Sequence, residues 1–323
     1  MKKALLYILV AAVLAGGYLV LDNLLYDGVV PTAVNTDDFH GTYFAQDGTQ
    51  NQPAVVLLGG GQWGDYWAQE FAKAGYTGLS LPYSNREGLP PLPEEIPLEY
   101  FERAINWLQD QPAVDPNKVI VMGASRNAEL ALVVASTLHQ GVSGAIAYCP
   151  SSVSWSNTVL PYNSDEVKPS WTYRDQAIPF VPMPKLKAPD SGKLETLSYW
   201  RSADSAAVAQ AAIPVEQING PILLLSGSDD QVWPSAEMAQ RLTQRALDSS
   251  EYIHTIKNMI WDDAGHMISG DPNGPSNVRQ GTMVIDGESY AYEFGGTEAG
   301  DAIAKQDAAW EVMKFLERLS MAN

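Results

Sequence analysis

Apolar residues fall along this chain in two alternating patterns. Runs of five or six mostly apolar residues recur at 54–58 (AVVLL), 77–81 (TGLSL), 118–122 (KVIVM), 144–149 (GAIAYC), 221–226 (PILLLS) and 252–256 (YIHTI). A continuous run of this length bounded by Pro or Gly, as Pro53 and Gly59 bound the first, predicts a strand buried on both faces. Between the runs lie longer stretches with helical spacing, at 65–74, 94–110, 128–138, 236–247 and 301–319. The 94–110 stretch is amphipathic and stops before Pro112, which cannot continue a helix. Strands alternating with helices predict an α/β fold with a mostly parallel, doubly wound sheet. The chain shows no internal repeat.

Two stretches break the alternation. Residues 4–21 (ALLYILVAAVLAGGYLVL) are 18 uncharged, mostly apolar residues behind Lys2 and Lys3. That length just spans a bilayer and exceeds a usual signal core, while Val13-Leu14-Ala15 offers a signal-peptidase site. Segment 1–22 is therefore expected to be a membrane anchor or a cleaved signal. With bases before it and acids after it, the C-terminal body is expected outside the cytoplasm, anchored or exported. Residues 23–52 are polar and rich in Gly, Asn and Asp, and are expected to form a linker with one short hairpin. The main domain is expected at 53–323. Within it, 151–213 is too long for an ordinary connection and carries Trp155, Trp171, Trp200 and six prolines. This is expected to be a lid over a site at the carboxyl ends of the strands.

Composition narrows the function. With 46% apolar and 18% charged residues the chain folds rather than remaining disordered. A net charge of −18 repels phosphate and argues against nucleic acid as a partner. A single cysteine, Cys149, excludes an internal disulfide framework and a Cys-rich metal site.

The candidate chemistry sits in three places. Residues 119–122 run into Gly123-Ala124-Ser125-Arg126-Asn127 and then a helix. A serine at so tight a strand-to-helix turn has its hydroxyl pushed out at the sheet edge; this is the nucleophile elbow G-x-S-x-G with Asn127 in the last place. The fifth strand ends in Ser226-Gly227-Ser228-Asp229-Asp230. G-x-x-D selects Asp230 as the acid, with Asp229 the competitor. Of four histidines, only His266, in Asp262-Asp263-Ala264-Gly265-His266, falls in a loop after a late strand. Ser125, Asp230 and His266 follow the order of an α/β-hydrolase triad. The N–H of Arg126 and that of Gly61 or Gln62, in the glycine loop after the first strand, are the expected oxyanion donors.

Other chemistries fit less well. Gly59, Gly61 and Gly64 satisfy the dinucleotide pattern G-x-G-x-x-G, but the next strand runs into Pro82 and Tyr83 with no acid for a ribose until Glu87. A metal hydrolase on Asp262, Asp263 and His266 lacks a second histidine at ligand spacing. Neither a cofactor nor a metal is expected.

The segments GASRNAELALVVAS, AYCPSSVSW, PSWTYRDQAIPFVP, IPVEQINGPILLLSGSDDQVWPSAEMAQRL, DDAGHMI and FGGTEAGDAIAKQDAAWEVMKFLERL carry a likeness covering about 53–320. The chain resembles the C-terminal catalytic domain of the acyl-CoA thioesterase and bile-acid-CoA:amino-acid N-acyltransferase family. The resemblance implies an α/β-hydrolase fold, Ser125 as nucleophile, Asp230 as acid and His266 as base. Some members of that family use cysteine at the elbow, and a serine there points to hydrolysis over amide formation. The implied substrate is a small acyl thioester or ester. Readings kept beside it are an exported carboxylesterase of dienelactone-hydrolase type, an acyl-CoA:amino-acid N-acyltransferase and a catalytically dead anchored scaffold. Trp155, Trp171 and Trp200 are expected to wall the acyl pocket. The lid balances six bases against six acids, and Lys185 and Lys187 are expected to favour an anionic leaving group unless its bases pair with nearby acids.

Overall fold

Val55 and Leu57 face one side of their strand, Val56 and Leu58 the other, and all four are fully buried. The same two-residue alternation divides Val119 and Val121 from Ile120 and Met122, and Ile222 and Leu224 from Leu223 and Leu225. A sheet whose strands are apolar on both faces must be covered by helices on both.

The computed structural model describes residues 28–160, 164–190 and 192–322, with Tyr7, 10–18 and Val20 from the first segment. In chain order the elements open with β1 (Thr32–Asn35), β2 (His40–Ala45), β3 (Gln52–Leu58), α1 (Gly61–Lys73), β4 (Thr77–Leu81) and β5 (Ile96–Pro97). Next come α2 (Glu99–Gln109), β6 (Val114–Ala124), α3 (Arg126–Thr137), β7 (Ala145–Tyr148), β8 (Trp171–Tyr173) and β9 (Gln176–Ala177). The second half holds α4 (Thr196–Arg201), α5 (Ser205–Gln210), β10 (Ile222–Gly227), α6 (Ser235–Asp248) and β11 (Ile256–Trp261). The hairpin β12 (Gln280–Ile285) and β13 (Glu288–Glu293) and the closing helix α7 (Glu298–Met321) complete it.

The main sheet runs β1-β2-β4-β3-β6-β7-β10-β11. Its last six strands are parallel, and the β1–β2 hairpin is added antiparallel at one edge. Helices α2, α3 and α6 cover one face; α1 and α7 cover the other. From β3 the chain steps one way to β4 and then back across to β6, so the strand order reverses between β3 and β6. The crevice outside the carboxyl ends of such a pair is where open α/β sheets hold ligands.

The structure follows the predicted alternation and revises three points. The hairpin expected within 23–52 is present, but it extends the sheet through β2 against β4, so that stretch is part of the domain. The sixth parallel strand is 256–261 and not 252–256. Lys257 and Asn258 interrupt its apolar run because an edge strand is only half-buried. His254 consequently lies in the loop before it. The β12–β13 hairpin was not expected. Its turn, Asp286-Gly287 with φ of 53° and 88°, is the Asp-Gly signal for a two-residue hairpin. Part of segment 4–21, with its expected membrane role, lies outside the described residues. Residues 10–18 are helical and exposed, and among the described residues no helix is long and apolar enough to cross a membrane.

The 151–213 excursion has its own core. Trp155, Val181, Met183, Trp200, Trp233 and Met283 pack together, with Trp155 and Trp233 each edge-on to Trp200 at 4.7 and 5.3 Å. Aromatic pairs of this kind add about 0.5–1.5 kcal/mol beyond their buried area. The β12–β13 hairpin is tied to the excursion where Leu194 N–H donates to Ala291 O, and it supplies Met283 and Ile285 to the same core.

Candidate active site

β6 ends at Ala124 and α3 begins at Arg126, which leaves Ser125 alone to turn the chain. Its φ of 58° and ψ of −123° lie where an L-residue is strained by about 1–3 kcal/mol. The turn holds because Ser125 N–H donates to Tyr148 O at 2.9 Å, while Ser125 O accepts from the N–H groups of Ala128 and Glu129. A Cβ on Gly123 would lie 2.0 Å from Asn127 O, so the tight approach of the elbow falls at Gly123. Position 127 tolerates a side chain and uses it: Asn127 Oδ1 accepts from Tyr83 OH at 2.6 Å, and its amide packs on Gly59, where a Cβ would stand 2.2 Å from Nδ2.

That contact fixes the glycine loop beside the elbow. β3 pairs with β6 with Leu57 opposite Met122, so Gly59-Gly60-Gly61 leaves the sheet level with Ser125. Gly61 and Gln62 open α1 and Arg126 opens α3. N–H groups in a first helical turn have no helical carbonyl to meet. The two helix starts thus flank the β3–β6 crevice.

Asp230 and His266 meet at the same sheet edge. His266 Nδ1 lies 2.8 Å from Asp230 Oδ2. That carboxylate is buried and saturated: Oδ1 accepts from the N–H of Val232 at 2.9 Å and of Trp233 at 3.3 Å, and Oδ2 also accepts from Ser235 Oγ at 2.6 Å. Asp229, the competitor, is exposed and accepts from Gln231 Nε2 and Gly296 N–H. Geometry therefore settles which acid meets the histidine. The ring is held edge-on by Trp233 and stacked by Phe294, and its backbone N–H donates to Phe294 O. The chain just beyond is pinned to α1, because the indoles of Trp63 and Trp67 both donate to Ser269 O at 2.9 Å. The ring's hydrogen bond goes to Asp230, and among the described residues none joins it to Ser125 Oγ. Ser125 reaches this neighbourhood through Tyr148 and Cys149, whose Sγ donates to His266 O at 3.4 Å.

Cys149 Sγ lies within 4.8 Å of the ligating atoms of Asp230 and His266. Burial and the Asp230 carboxylate push its thiol well above the ordinary value. It is held as a neutral thiol, and neither metal ligation nor nucleophilic attack suits that form.

The lid tryptophans differ from expectation. Trp155, Trp171 and Trp200 are only 2, 0 and 3% exposed, and their indole N–H groups donate to Ser151 Oγ, Glu129 Oε1 and Val232 O. Trp155 and Trp200 belong to the core of the 151–213 excursion and Trp171 to the main core under one face of the sheet, so they do not wall an open pocket. The lid bases mostly pair with acids: Lys168 with Glu94 and Glu166, Lys185 with Asp165, Lys193 with Glu293, and Arg201 with Glu237.

Two buried acids were not singled out from sequence. Glu129, on α3, pairs with Arg126 and also accepts from Trp171 Nε1, Trp155 N–H and Ser154 Oγ. Burial pushes its carboxyl up while Arg126 and these donors pull it down. Arg126 in turn donates to Ser170 Oγ at 2.8 Å, so one ion pair joins the elbow helix to the lid. A lone acid immediately before the apolar run LALVVAS, three residues after an arginine, is the signal that marks it. Asp301, in the first turn of α7, accepts from Gly265 N–H at 2.7 Å and from Arg279 at 2.5 Å. It holds the residue before His266, but in sequence it reads as an ordinary acid at a helix start.

Comparison with known proteins bears on the family and the fold. Residues 96–321 match the family model described as BAAT / Acyl-CoA thioester hydrolase C terminal. Acyl-coenzyme A thioesterase 6 of Homo sapiens is 27% identical over 270 residues, covering 82% of this chain and 60% of that protein. Acyl-coenzyme A amino acid N-acyltransferase 2 of Mus musculus is 26% identical, covering 90% and 66%. The chain thus spans only about 60% of the length of such relatives. Among solved structures, MGS-M1, an alpha/beta hydrolase enzyme from a Medee basin deep-sea metagenome library, superimposes with a TM-score of 0.54 at 15% identity, covering 91% of this chain and 99% of that one. An acylaminoacyl peptidase gives 0.53 at 14%, covering 94% and 44%. The fold is that of the α/β hydrolases, and the chain belongs to the BAAT / acyl-CoA thioester hydrolase C-terminal family.

Proposed function

We propose that this chain is a serine hydrolase that cleaves acyl thioesters through Ser125, His266 and Asp230. The observation that carries the reading is the 2.8 Å contact between His266 Nδ1 and a buried, donor-saturated Asp230, at the sheet edge where Ser125 takes the elbow conformation. The names of its relatives support a thioester as substrate.

In this mechanism His266 Nε2 takes the Ser125 proton as Oγ attacks the carbonyl carbon. Asp230 holds Nδ1–H and so fixes the tautomer, and its charge stabilises the imidazolium. The N–H groups of Arg126 and of Gly61 or Gln62 stabilise the oxyanion. The intermediate collapses, the C–S bond breaks, and His266 returns the proton to the departing thiolate. Water, deprotonated by His266, then attacks the acyl-enzyme and frees the acid and Ser125. The Ser125–His266 hydrogen bond forms with substrate in place, as catalytic hydrogen bonds are commonly loose in a free enzyme.

A fluorophosphonate probe tests the nucleophile: wild type is labelled and Ser125→Ala is not. Labelling of both, or of neither, ends the reading. The named N-acyltransferase relative favours one second reading, in which an amine replaces water. Product analysis with and without amino acids separates the two.

We also propose that residues 4–21 hold the body at a membrane or direct it for export, outside the cytoplasm. The support is their apolar length and the flanking Lys2 and Lys3. A fusion partner after Asn323 that is active only in the cytoplasm should then give no signal; signal there contradicts it.

A further inference from the structure

The anion recognition that the sequence placed on the lid finds a different candidate. Arg86 lies in the loop after β4, where Leu89 N–H donates to its carbonyl. Its Nη2 comes within 3.2 Å of the point that a Cβ on Gly61 would occupy. The guanidinium therefore sits within about 5 Å of the Gly61 backbone, given ordinary bond lengths. Gly61 is one of the two glycine-loop residues assigned to the oxyanion, so the inference rests on that reading.

Five of the nine arginines, Arg103, Arg126, Arg201, Arg245 and Arg279, each pair with a carboxylate, and among the described residues Arg86 is one of the four that do not. Among the described residues no carboxylate lies within 4 Å of Arg86, although Glu87 lines the same cleft. That cleft, of about 590 Å³, runs between Arg86, Pro82 and Gly88 on one side and His40, Gly41 and Thr42 of β2 on the other. His40 Nδ1 lies 3.2 Å from Asn35 Oδ1. An exposed guanidinium that faces this cleft and stands beside the glycine loop is a fork for a planar anion.

Distance decides which anion. The phosphates of coenzyme A are separated from the thioester by the whole pantetheine arm, so a guanidinium about 5 Å from the loop assigned to the oxyanion is too near to meet them. A carboxylate only a few bonds from that carbonyl fits. We propose that Arg86 selects substrates carrying a carboxylate close to the scissile thioester, on the acyl chain or on the thiol.

The experiment uses the Ser125→Ala protein, so that ligand is not consumed and the result does not depend on turnover. Three thioesters are titrated by ligand-observed NMR: S-succinyl-N-acetylcysteamine, S-butyryl-thioglycolate and the neutral S-butyryl-N-acetylcysteamine. Adding Arg86→Gln should weaken at least one carboxylate probe about tenfold while moving the neutral probe less than about twofold. Loss on the succinyl probe places the carboxylate on the acyl side, and loss on the thioglycolate probe places it on the thiol. Arg86→Lys should restore part of the loss, because it keeps the charge without the fork. Equal shifts on all three probes, no shift, or no saturable binding of either carboxylate probe overturns the proposal. Turnover of the same thioesters with Ser125 intact is a separate readout. Its absence beside charge-selective binding would remove the hydrolase reading and leave the carboxylate site standing.

Discussion

Asp230 Oδ2 lies 2.8 Å from His266 Nδ1, while the adjacent Asp229 turns outward to the Gly296 N–H. Two neighbouring carboxylates thus have separate work. Asp230→Asn should lower kcat by about 10²–10⁴-fold, since the amide no longer fixes the imidazole tautomer. Asp229→Asn should change it by no more than about threefold, because an exposed hydrogen bond contributes little. Steady-state kinetics on one thioester checks both, and equal losses would contradict the assignment.

The buried Arg126–Glu129 pair should behave as a unit. Glu129→Gln leaves the guanidinium without its counter-charge, and breaking a buried pair costs about 3–5 kcal/mol. The double variant Arg126→Met/Glu129→Gln, which removes the unpaired guanidinium and keeps an acceptor for Trp171, Trp155 and Ser154, should recover most of that loss. Denaturant unfolding followed by tryptophan fluorescence reads both. A double variant as unstable as the single one would show that the pair is not the cause.

The elements buried on both faces were legible because nothing competes with their apolar runs: β4 lies at 77–81 as read, and β10 is shifted by one residue. Elements with one wet face were harder. β11 carries Lys257 and Asn258 inside the strand, and the β12–β13 hairpin hides behind a polar face, with Met283 and Ile285 turned inward. The site divides similarly. Ser125, Asp230 and His266 show themselves by residue type and by place after a strand. The groups that hold them do not, because Glu129 and Asp301 take their importance from partners 42 and 36 residues away, Trp171 and Gly265. The three lid tryptophans were assigned to a pocket because sequence distinguishes aromatic content from exposure poorly.

Asp301 should matter more to rate than to substrate affinity. Asp301→Asn keeps an acceptor for Gly265 N–H but loses the charge that holds Arg279, which itself donates to Gly295 O. The His266 loop then loosens, and kcat should fall about tenfold with KM nearly constant, as expected for loss of one charge-assisted hydrogen bond. A rise in KM with kcat unchanged would place Asp301 in substrate binding instead.

Cys149 should resist alkylation in the folded protein. Its thiol is buried, and both burial and Asp230 disfavour the thiolate. Native protein treated with iodoacetamide at pH 7 should stay unmodified by mass spectrometry, whereas urea-unfolded protein should gain one adduct. Rapid native modification would show that the contact of Cys149 with the His266 loop opens.

The central claim is that Ser125 is the nucleophile of a thioester hydrolase. The most direct measurement is intact-mass spectrometry of the purified protein, quenched in acid during turnover of a long-chain acyl-CoA. The account predicts an adduct of one acyl mass on wild type, mapped to Ser125 by peptide digestion and missing from Ser125→Ala, which should lose about 10³-fold or more in kcat. An acyl adduct elsewhere, or an alanine variant that keeps most of its turnover, would contradict it.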